Sequence, residues 1–446
     1  MRRVIAVLGL AGLVSGCWMM RPIEPGAVPA GSPATQAKLE RELQVRPLPG
    51  GMDDEAFFDS NSPEVVQAPG VMLSTLAGNP AVHQNHPIKG DFTIFSHHIA
   101  KDEPGDEHRL HIGLLVVNGG DRTVTVSLKP GVTYLSQPDA LFVPLPTVTE
   151  DPGGSVYAGP GDRAATDVLH GRSNLPGAEA VLPPHSSYLA YNLPIPTNVA
   201  IPPPINGRTV IMRGHADGPI GFADLAVFAA KDALGAFVTP TSADFQAELA
   251  RERLSGPRDK APTPWNPASP APPAGGGFRY GRVAGVAHGA TWTGRLEAPT
   301  ARGTVAYPIA AVYLNRMGTQ QDQSAALVTR YADTAYAAHG NYGATYALTL
   351  PLPAGRYKLA LTQPVAVAGG KAHYLDPPNK PVMFRGPIKL TWNGQTRYVH
   401  VVLRHGEEAP PFARIDVPAG KTYDLGLTLS YPADATPPQL LSVTRD

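Results

Sequence analysis

Proline and glycine limit this chain to short elements joined by turns. The sequence has 49 prolines and 46 glycines among 446 residues, which together make about a fifth of the chain. Proline interrupts helix interiors and central strands because it has no backbone N–H to donate, and glycine weakens both kinds of element. The hydrophobic fraction of 43% is still large enough to form sizeable cores. We therefore predict a mainly-β protein built from many short strands.

The first residues indicate export and lipid attachment. A basic start at 1–3 precedes an apolar run at 4–14, which is too short to span a bilayer and is typical of a signal-peptide core. The segment Val14-Ser15-Gly16-Cys17 then resembles the bacterial lipobox, in which the cysteine is acylated and becomes the first residue after cleavage. We predict a lipoprotein signal peptide at 1–16 and lipidation of Cys17. The alternative is an ordinary secreted protein whose cysteine stands there by chance.

The predicted anchor places the protein in the cell envelope. Stable attachment needs more than one acyl chain, and lipoprotein processing supplies them. Trp18 stands where an aspartate would signal inner-membrane retention by resemblance to enterobacterial sorting, so the outer membrane is favoured. Cys17 is the only cysteine, so the mature chain forms no intramolecular disulfide. Residues 17–48, which combine the anchor with a proline-rich stretch, are predicted to form a tether.

The charge balance of the sequence limits the kinds of partner that we expect. The 37 basic and 37 acidic residues cancel, which gives no reason to expect nucleic acid as a partner. We expect contact with the membrane through the acyl chains on Cys17, and with cell-wall glycan or another envelope protein.

The length predicts two folded units. In a first β domain at 49–255, strands are expected at 91–96, 111–117, 123–128, 208–213 and 219–228. The strands at 111–117 and 123–128 flank an Asn/Gly loop typical of a hairpin. A helix is expected to begin at Thr241, with Asp244 completing a capping box. Residues 256–277 contain seven prolines and three consecutive glycines from Gly275, and we interpret them as a linker or, alternatively, as an ordered arm.

The second domain, at 278–446, again has the pattern of strands, which are expected at 346–351 and 356–362 among other places. Tyr423, Leu425, Leu427 and Leu429 alternate along one face, which is the period of a half-buried strand. Turn-then-strand units at 353–359 and 418–425 are typical of immunoglobulin-like sandwiches. The predicted fold is therefore mainly β, with two β-sandwich-like (immunoglobulin-like) domains and one short helix between them.

Histidines are concentrated between 83 and 111. Imidazole is a common ligand of zinc and copper, and His-x-x-His pairs stand at 83/86 and 108/111. His97 and His98 are adjacent and would point to opposite faces of a strand, so only one of them can join a given site. The candidate metal ligands are His83, His86, His97, His108 and His111. The alternative is that these histidines are surface or hydrogen-bonded residues, and no cofactor is predicted.

Aromatic residues suggest one further binding site. Trp292 and Trp392 could form a sugar-stacking face, although large aromatics in strands more often belong to a core. No catalytic residues are predicted, because Gly-x-Ser-x-Gly, HExxH and phosphate-loop motifs do not occur. The clustered acids at 53–55 and 407–408 are interpreted as solvated loop charge.

Seven segments together carry a family resemblance. They are Arg46-Pro-Leu-Pro-Gly-Gly51, Ser60-Asn-Ser-Pro-Glu-Val-Val-Gln67, Phe95-Ser-His-His-Ile99, Tyr134-Leu-Ser-Gln-Pro-Asp139, Val156-Tyr-Ala-Gly-Pro-Gly161, Gly256-Pro-Arg-Asp259 and Gly340-Asn-Tyr-Gly343. The chain from about 46 to near its end resembles an uncharacterised bacterial envelope-protein family, domain of unknown function 3370, common in cyanobacteria. The resemblance implies no activity and no catalytic residues. It does imply that the part of the linker at 256–259 is ordered.

These observations favour a lipid-anchored cell-envelope protein with a structural or binding role and no catalytic activity. One alternative is an envelope hydrolase acting on glycan or peptide. The other is a His-rich metal-binding lipoprotein.

Overall fold

The computed structural model describes residues 43–103, 107–197, 204–264, 278–313, 315–363, 375–376, 380–404 and 409–446. The predicted signal peptide, Cys17, most of the tether, residues 265–277 of the predicted linker and the acids at 407–408 lie outside them. The described chain is mainly β and sandwich-like, as predicted, with two helices. Neither of these two helices has the length and apolar character needed to cross a membrane.

The elements are numbered in chain order. The strands are β1 (Gly51–Met52), β2 (Ala56–Ser60), β3 (Val65–Val66), β4 (Gly70–Ser74), β5 (Ile88–Lys101), β6 (Leu110–Asn118), β7 (Val124–Leu128), β8 (Val132–Leu135), β9 (Val148–Glu150), β10 (Ala178–Leu182), β11 (Ser186–Ile195), β12 (Ile205–Phe228), β13 (Ala284–His288), β14 (Thr291–Arg295), β15 (Gly303–Ile309), β16 (Ala325–Arg330), β17 (Ala337–Ala338), β18 (Thr345–Thr362), β19 (Leu375–Asp376), β20 (Lys380–Trp392), β21 (Gln395–Arg404), β22 (Ala413–Ser430) and β23 (Gln439–Arg445). The helices are α1 (Pro160–His170) and α2 (Ser242–Leu249).

The strands form two sheets that exchange segments of chain. Among the described residues, the first sheet has thirteen strands with the main order β10-β7-β12-β5-β2-β13-β16-β17. The second has ten, with the main order β1-β14-β18-β22-β20-β21-β9. Strands β13, β16 and β17 follow the predicted linker yet belong to the first sheet, whereas β1 and β9 precede it and belong to the second. The boundary between the two sheets therefore does not coincide with residues 256–277. That the chain folds as two units separated there stays a prediction.

The hairpin predicted around 118–122 is wrong. Strand β6 pairs with β11 and β12, and β7 pairs with β10 and β12, so β6 and β7 do not pair with each other. The Asn118 side chain donates to the carbonyl oxygens of Arg122, Leu182 and Pro183, at 2.7, 2.9 and 3.0 Å. The asparagine and glycines do form a tight loop, but these bonds tie the loop to the end of β10 instead of closing a hairpin.

Two long strands replace pairs of shorter predicted ones. Strand β12 spans the predicted strands at 208–213 and 219–228, with a register shift between Ala216 and Ile220. Strand β18 likewise spans 346–351 and 356–362, with a register shift between Pro353 and Gly355. Residues that predict turns form bulges here, because a bulge tolerates a residue that makes no ladder hydrogen bond.

The helix predicted at Thr241 is confirmed, and a second helix was not expected. The Thr241 side chain accepts from the Asp244 amide, and the Asp244 side chain accepts from the Thr241 amide, which is the predicted capping box. Helix α1 begins with Pro160 after Gly159, whose φ of 95° only glycine adopts easily, and its C-cap is Gly171 in the left-handed region. The Gly-Pro-Gly run at 159–161 is typical of a loop, so sequence patterning missed this helix start.

Three hydrophobic clusters hold the layers together. One fills the second sheet and includes Tyr346, and another fills the first sheet and includes Phe92. The third joins α1 to the opposite face of the first sheet, with Phe95 and Ala164 buried in it and Tyr342 packed against it. The third cluster brings α1 and both sheets to one place.

Candidate functional site

A polar cavity of about 50 Å³ lies where the first sheet, the start of α1 and the loop between β22 and β23 meet. We call it the inter-sheet cavity. A cavity needs roughly 10–15 Å³ for each water, so this one has room for roughly three to five waters or a small polar group. Its polar lining residues are Glu64, His97, Arg282, Tyr342 and Asp434, and its apolar lining includes Ile99, Phe142 and Ala433.

An ion pair forms one wall of the cavity. Arg282, just before β13, donates to Glu64 Oε2, and the two side chains are 11% and 12% exposed. The Glu64 amide donates to Asp259 Oδ2 at 3.1 Å, and Ser62 donates to the same oxygen at 2.7 Å. Burial raises the pKa of Glu64, against the lowering effect of Arg282. Asp259, in the stretch 256–259 for which the family resemblance implies order, therefore supports this wall.

His97 lies on β5 beside this ion pair. Its Nδ1 is 2.8 Å from Thr209 Oγ1 on the neighbouring strand β12. Burial lowers the pKa of His97 to about 3, and the nearby charge of Arg282 acts in the same direction. The ring is therefore neutral at physiological pH, with one nitrogen able to donate and the other able to accept a hydrogen bond.

Tyr342 and Asp434 form the wall on the side of the second sheet. The Tyr342 hydroxyl donates to the Ala435 carbonyl at 2.9 Å, and burial raises the pKa of Tyr342 to about 12. Asp434 Oδ2 lies 3.5 Å from Arg385 Nη1, at the limit of a hydrogen bond. Asp434 Oδ1 is buried and has no hydrogen-bond partner among the described residues. Burial raises the pKa of Asp434 to about 7, although Arg385 lowers it.

A buried network of charged side chains lies next to Asp434. His400 Nε2, on β21, donates to Asp162 in the first turn of α1, with both carboxylate oxygens at 2.9 Å. Asp162 also accepts from the Ala158 amide at 2.8 Å, and Arg385 donates to the Ala158 carbonyl at 3.1 Å. These bonds attach the start of α1 to β20 and β21 and fix the position of the cavity.

Asp59 adds a second carboxyl with an unpaired oxygen near this region. It lies on β2, is 3% exposed, and its Oδ1 is unpaired within the described structure. Burial raises its pKa to about 8. Titratable groups with perturbed pKa values around a cavity are typical of functional sites. The chemistry available here is binding of a small polar group or exchange of a proton near neutral pH.

The predicted metal ligands have separate surroundings. Within the described residues, no three His, Cys, Asp or Glu side chains come together as a metal site. His97 lines the inter-sheet cavity, and His86 lines an open groove. The other three each have a polar neighbour of their own. His108 Nδ1 lies 3.8 Å from Asp102 Oδ1, His83 Nδ1 lies 2.8 Å from Ser74 Oγ, and His111 Nδ1 lies 2.7 Å from Asn192 Oδ1. Metal binding by these histidines stays a prediction, and the structure does not bring the five together.

The predicted sugar-binding tryptophans differ in burial. Trp292 is 6% exposed, belongs to the core of the second sheet, and donates from Nε1 to the Pro49 carbonyl at 3.0 Å. Its ring lies against Tyr346, with centroids 6.3 Å apart, so it offers no open face to a sugar. Trp392 is half-buried at the end of β20. Sugar binding by Trp292 and Trp392 stays a prediction, with Trp392 the more accessible of the two rings.

A Ser/His/Asp set is present but sealed inside the first sheet. His98 Nδ1 donates to the Pro63 carbonyl at 2.8 Å, and its Nε2 lies 3.2 Å from Ser60 Oγ and 3.4 Å from Asp224 Oδ2. Ser96 donates to the same aspartate oxygen at 2.9 Å. All four side chains are fully buried, so no substrate can reach them.

The acids at 53–55 border a wide open groove of about 490 Å³ together with His86 and His288. Asp53 Oδ1 accepts from the Ala290 amide at 2.8 Å, and Glu55 Oε1 accepts from Thr93 at 2.5 Å. Two of the three acids thus have structural partners.

A family model described as a protein of unknown function matches residues 43–445. The chain belongs to the DUF3370 family. No curated protein matches it. Four of the seven segments that carried the DUF3370 resemblance line the inter-sheet cavity, contributing Glu64, His97, Gly161 and Tyr342 among others. A fifth, at 256–259, supports Glu64 through Asp259.

Sequence reasoning missed most of this site. It named His97, but as a metal ligand, and it named Glu64 and Tyr342 only inside segments of the DUF3370 resemblance. Arg282 and Asp434 carried no signal, because an isolated charged residue in a loop predicts solvent exposure.

Proposed function

We propose that the protein is a lipid-anchored component of the cell envelope, attached through acyl chains on Cys17, that binds a small polar ligand in the inter-sheet cavity and catalyses no reaction. The proposal combines the lipobox-like sequence with one geometric observation. That observation is a small cavity between the two sheets whose lining includes a buried, unpaired carboxylate oxygen of Asp434.

The cavity favours binding because its polar groups are held in place before any ligand arrives. Arg282 fixes Glu64, Thr209 fixes His97, and the Ala435 carbonyl fixes the Tyr342 hydroxyl. A site of this kind loses little conformational entropy when it binds. Cell-wall glycan or another envelope protein, the partners expected from the sequence, would contact the exposed surface instead.

Lipid attachment is tested by labelling cells with a radioactive fatty acid and capturing the full chain. Wild type should carry the label and sediment with outer-membrane fractions. Cys17→Ser should lose the label and leave the membrane fraction, whereas Met19→Leu, two residues away, should keep both. A labelled Cys17→Ser protein would contradict the anchor.

Ligand binding is tested on the purified full chain in detergent. Small amines, carboxylates, sugars and polyols are screened by the shift in the thermal unfolding midpoint, because a ligand that binds only the folded state raises it. The shift should disappear in Asp434→Asn and persist in Asp416→Asn, an exposed aspartate on β22. If no compound in the screen causes a shift of the unfolding midpoint that depends on Asp434, the cavity is not a binding site.

An envelope hydrolase is the second candidate, and one observation favours it. Asp434, with a pKa raised to about 7, shares the cavity with Glu64, whose pKa is also raised. A carboxyl group that holds its proton near neutral pH is suited to general acid catalysis. Turnover of glycan or peptide substrates that is lost in Asp434→Asn but retained in Asp416→Asn would replace the binding proposal with this one.

A further inference from the structure

We infer that the inter-sheet cavity binds a primary ammonium group, held by Asp434, Glu64 and His97. The inference rests on the proposed binding function and names the chemical class of its ligand. Its starting point is the buried Asp434 Oδ1, which has no hydrogen-bond partner among the described residues. Buried polar atoms in folded proteins are nearly always paired, and Asp434 lines the cavity, so we look to the cavity for the group that pairs with its carboxyl.

Three lining residues offer acceptors for such a group. Asp434 offers Oδ1, and Glu64 uses Oε2 for Arg282 while a carboxylate has about four acceptor positions. His97 uses Nδ1 for Thr209, which leaves Nε2 without a partner in the described structure. This nitrogen accepts when Nδ1 carries the proton. A primary ammonium group has three N–H donors and no acceptor, which matches three acceptors.

The size and the remaining walls agree with this ligand. About 50 Å³ has room for an ammonium group and one or two carbons, and the rest of a larger amine would extend toward solvent. The Tyr342 hydroxyl is used by the Ala435 carbonyl, so Tyr342 contributes mainly its ring. The Phe142 ring also lines the cavity, and the Arg385 guanidinium already lies over it, 5.3 Å from the ring centroid.

Charged groups approach Asp434 from every element around it. Arg385 on β20 is positive, Asp162 on α1 is negative, and His400 on β21 donates to Asp162. Across the cavity, the charge of Arg282 is offset by Glu64. Arg385 Nη1 lies 3.5 Å from Asp434 Oδ2 and also donates to the Ala158 carbonyl, so its positive charge offsets the negative charge of Asp434 only in part. A bound cation would complete the compensation.

The test compares ethanolamine with choline by isothermal titration calorimetry on the full chain in detergent. Both probes are cations, but choline has three methyl groups in place of the N–H donors. Ethanolamine should bind saturably with a Kd on the order of 1 mM, as the ceiling per atom for so small a ligand allows, and choline at least tenfold more weakly. Affinity for ethanolamine should rise about tenfold from pH 6 to pH 8, because the ionised fraction of Asp434 rises from about a tenth to about nine-tenths.

Variants locate the site. Asp434→Asn should lower the affinity for ethanolamine at pH 8 at least tenfold and reduce its pH dependence to the part that Glu64 contributes, whereas Asp416→Asn should change neither. The comparison of the two probes and two pH values in wild type needs no variant, so it decides the question even if Asp434→Asn fails to fold. A second experiment measures binding to phosphatidylcholine vesicles that contain phosphatidylethanolamine, with free ethanolamine as the competitor. It distinguishes a lipid headgroup from a free amine as the ligand.

Two outcomes would overturn the inference. Equal binding of ethanolamine and choline would show that N–H donors are not recognised, and the absence of saturable binding would leave the cavity to water. If a neutral polyol or an anion binds instead, and Asp434→Asn abolishes that binding, the inference about ammonium fails while the proposed binding function stands.

Discussion

Replacing Asp59 with asparagine is expected to stabilise the protein at neutral pH. Asp59 is 3% exposed, and its Oδ1 has no hydrogen-bond partner among the described residues. Burial raises the pKa of its carboxyl group from 3.8 to about 8. Between these pH values the folded protein holds a proton that the unfolded chain releases. Stability contributed by this group is therefore fully present below pH 3.8 and falls until the pH passes about 8.

The expected size of the effect follows from the same values. At pH 7 the group is about three units above its unfolded pKa of 3.8, and each unit corresponds to about 1.4 kcal/mol, so keeping Asp59 protonated costs about 4 kcal/mol. Asparagine cannot ionise, which removes this cost. Its amide brings N–H donors to the same buried position, and leaving them unpaired costs about 1–3 kcal/mol. We expect a net stabilisation of about 2 kcal/mol at pH 7 and a net destabilisation of about 1 kcal/mol at pH 4, where the ionisation cost is small and the cost of the unpaired amide remains.

The assay is urea unfolding of the full chain at pH 4, 5, 6, 7, 8 and 9. The difference in unfolding free energy between Asp59→Asn and wild type should grow by up to about 1.4 kcal/mol per pH unit and level off above pH 8. Asp434 titrates in the same range in both proteins, so the difference between them removes the part of its contribution that does not depend on Asp59. The exposed control Asp416→Asn should show a small, constant difference. A constant difference for Asp59→Asn between pH 4 and 8 would refute the reasoning.

Three further substitutions test the packing and the caps. Gly113→Ala would place a Cβ 2.3 Å from the Phe245 ring, so we expect the free energy of unfolding to fall by about 1–3 kcal/mol. Thermal unfolding measures this loss. An unchanged midpoint would contradict the close packing of α2 on β6. Tyr331→Phe removes the hydroxyl that donates to the Val82 carbonyl at 2.6 Å. We expect about 1–3 kcal/mol of destabilisation and faster amide exchange in the 79–86 loop; protection equal to wild type would argue against this bond. Thr241→Ala should cost about 1 kcal/mol by removing the α2 cap, while Thr241→Ser should restore it.

Local patterns predicted local structure well. Leu425, Leu427 and Leu429 alternate in the sequence and are all buried on β22, because a strand sends successive side chains to opposite faces. The capping box at Thr241 and Asp244 needs only residues three apart, so it was predicted from the sequence and is present in the structure.

Pairing between distant segments could not be predicted in the same way. The Asn/Gly loop after β6 meets every local requirement of a hairpin, yet Asn118 bonds to carbonyls more than sixty residues away. Helix α1 begins with Pro160 and Gly161, residues that also occur in loops. It is stabilised by a contact that no local pattern contains, the bond between Asp162 and His400.

The same limit applies to the candidate site. Arg282 and Glu64 are 218 residues apart in the chain, and neither has a local pattern that indicates a partner. The clustering of histidines in the sequence predicts a metal ligand at His97, but its observed partner is Thr209 on the neighbouring strand. The DUF3370 resemblance grouped Glu64, His97 and Tyr342 without assigning them a common place, which only the fold supplies.

The exchange of strands between the sheets explains why the cavity needs the whole chain. Glu64 and His97 come from the first part of the sequence, whereas Arg282 stands before β13, a strand that crosses the sequence to pair with β2. Asp434 comes from the loop that joins β22 and β23 of the second sheet, and it is positioned through Arg385 and α1. Neither half of the chain contains both walls. Ligand binding in the cavity would therefore report the assembly of the two sheets, and fragments divided at 256–277 should bind only when they are recombined.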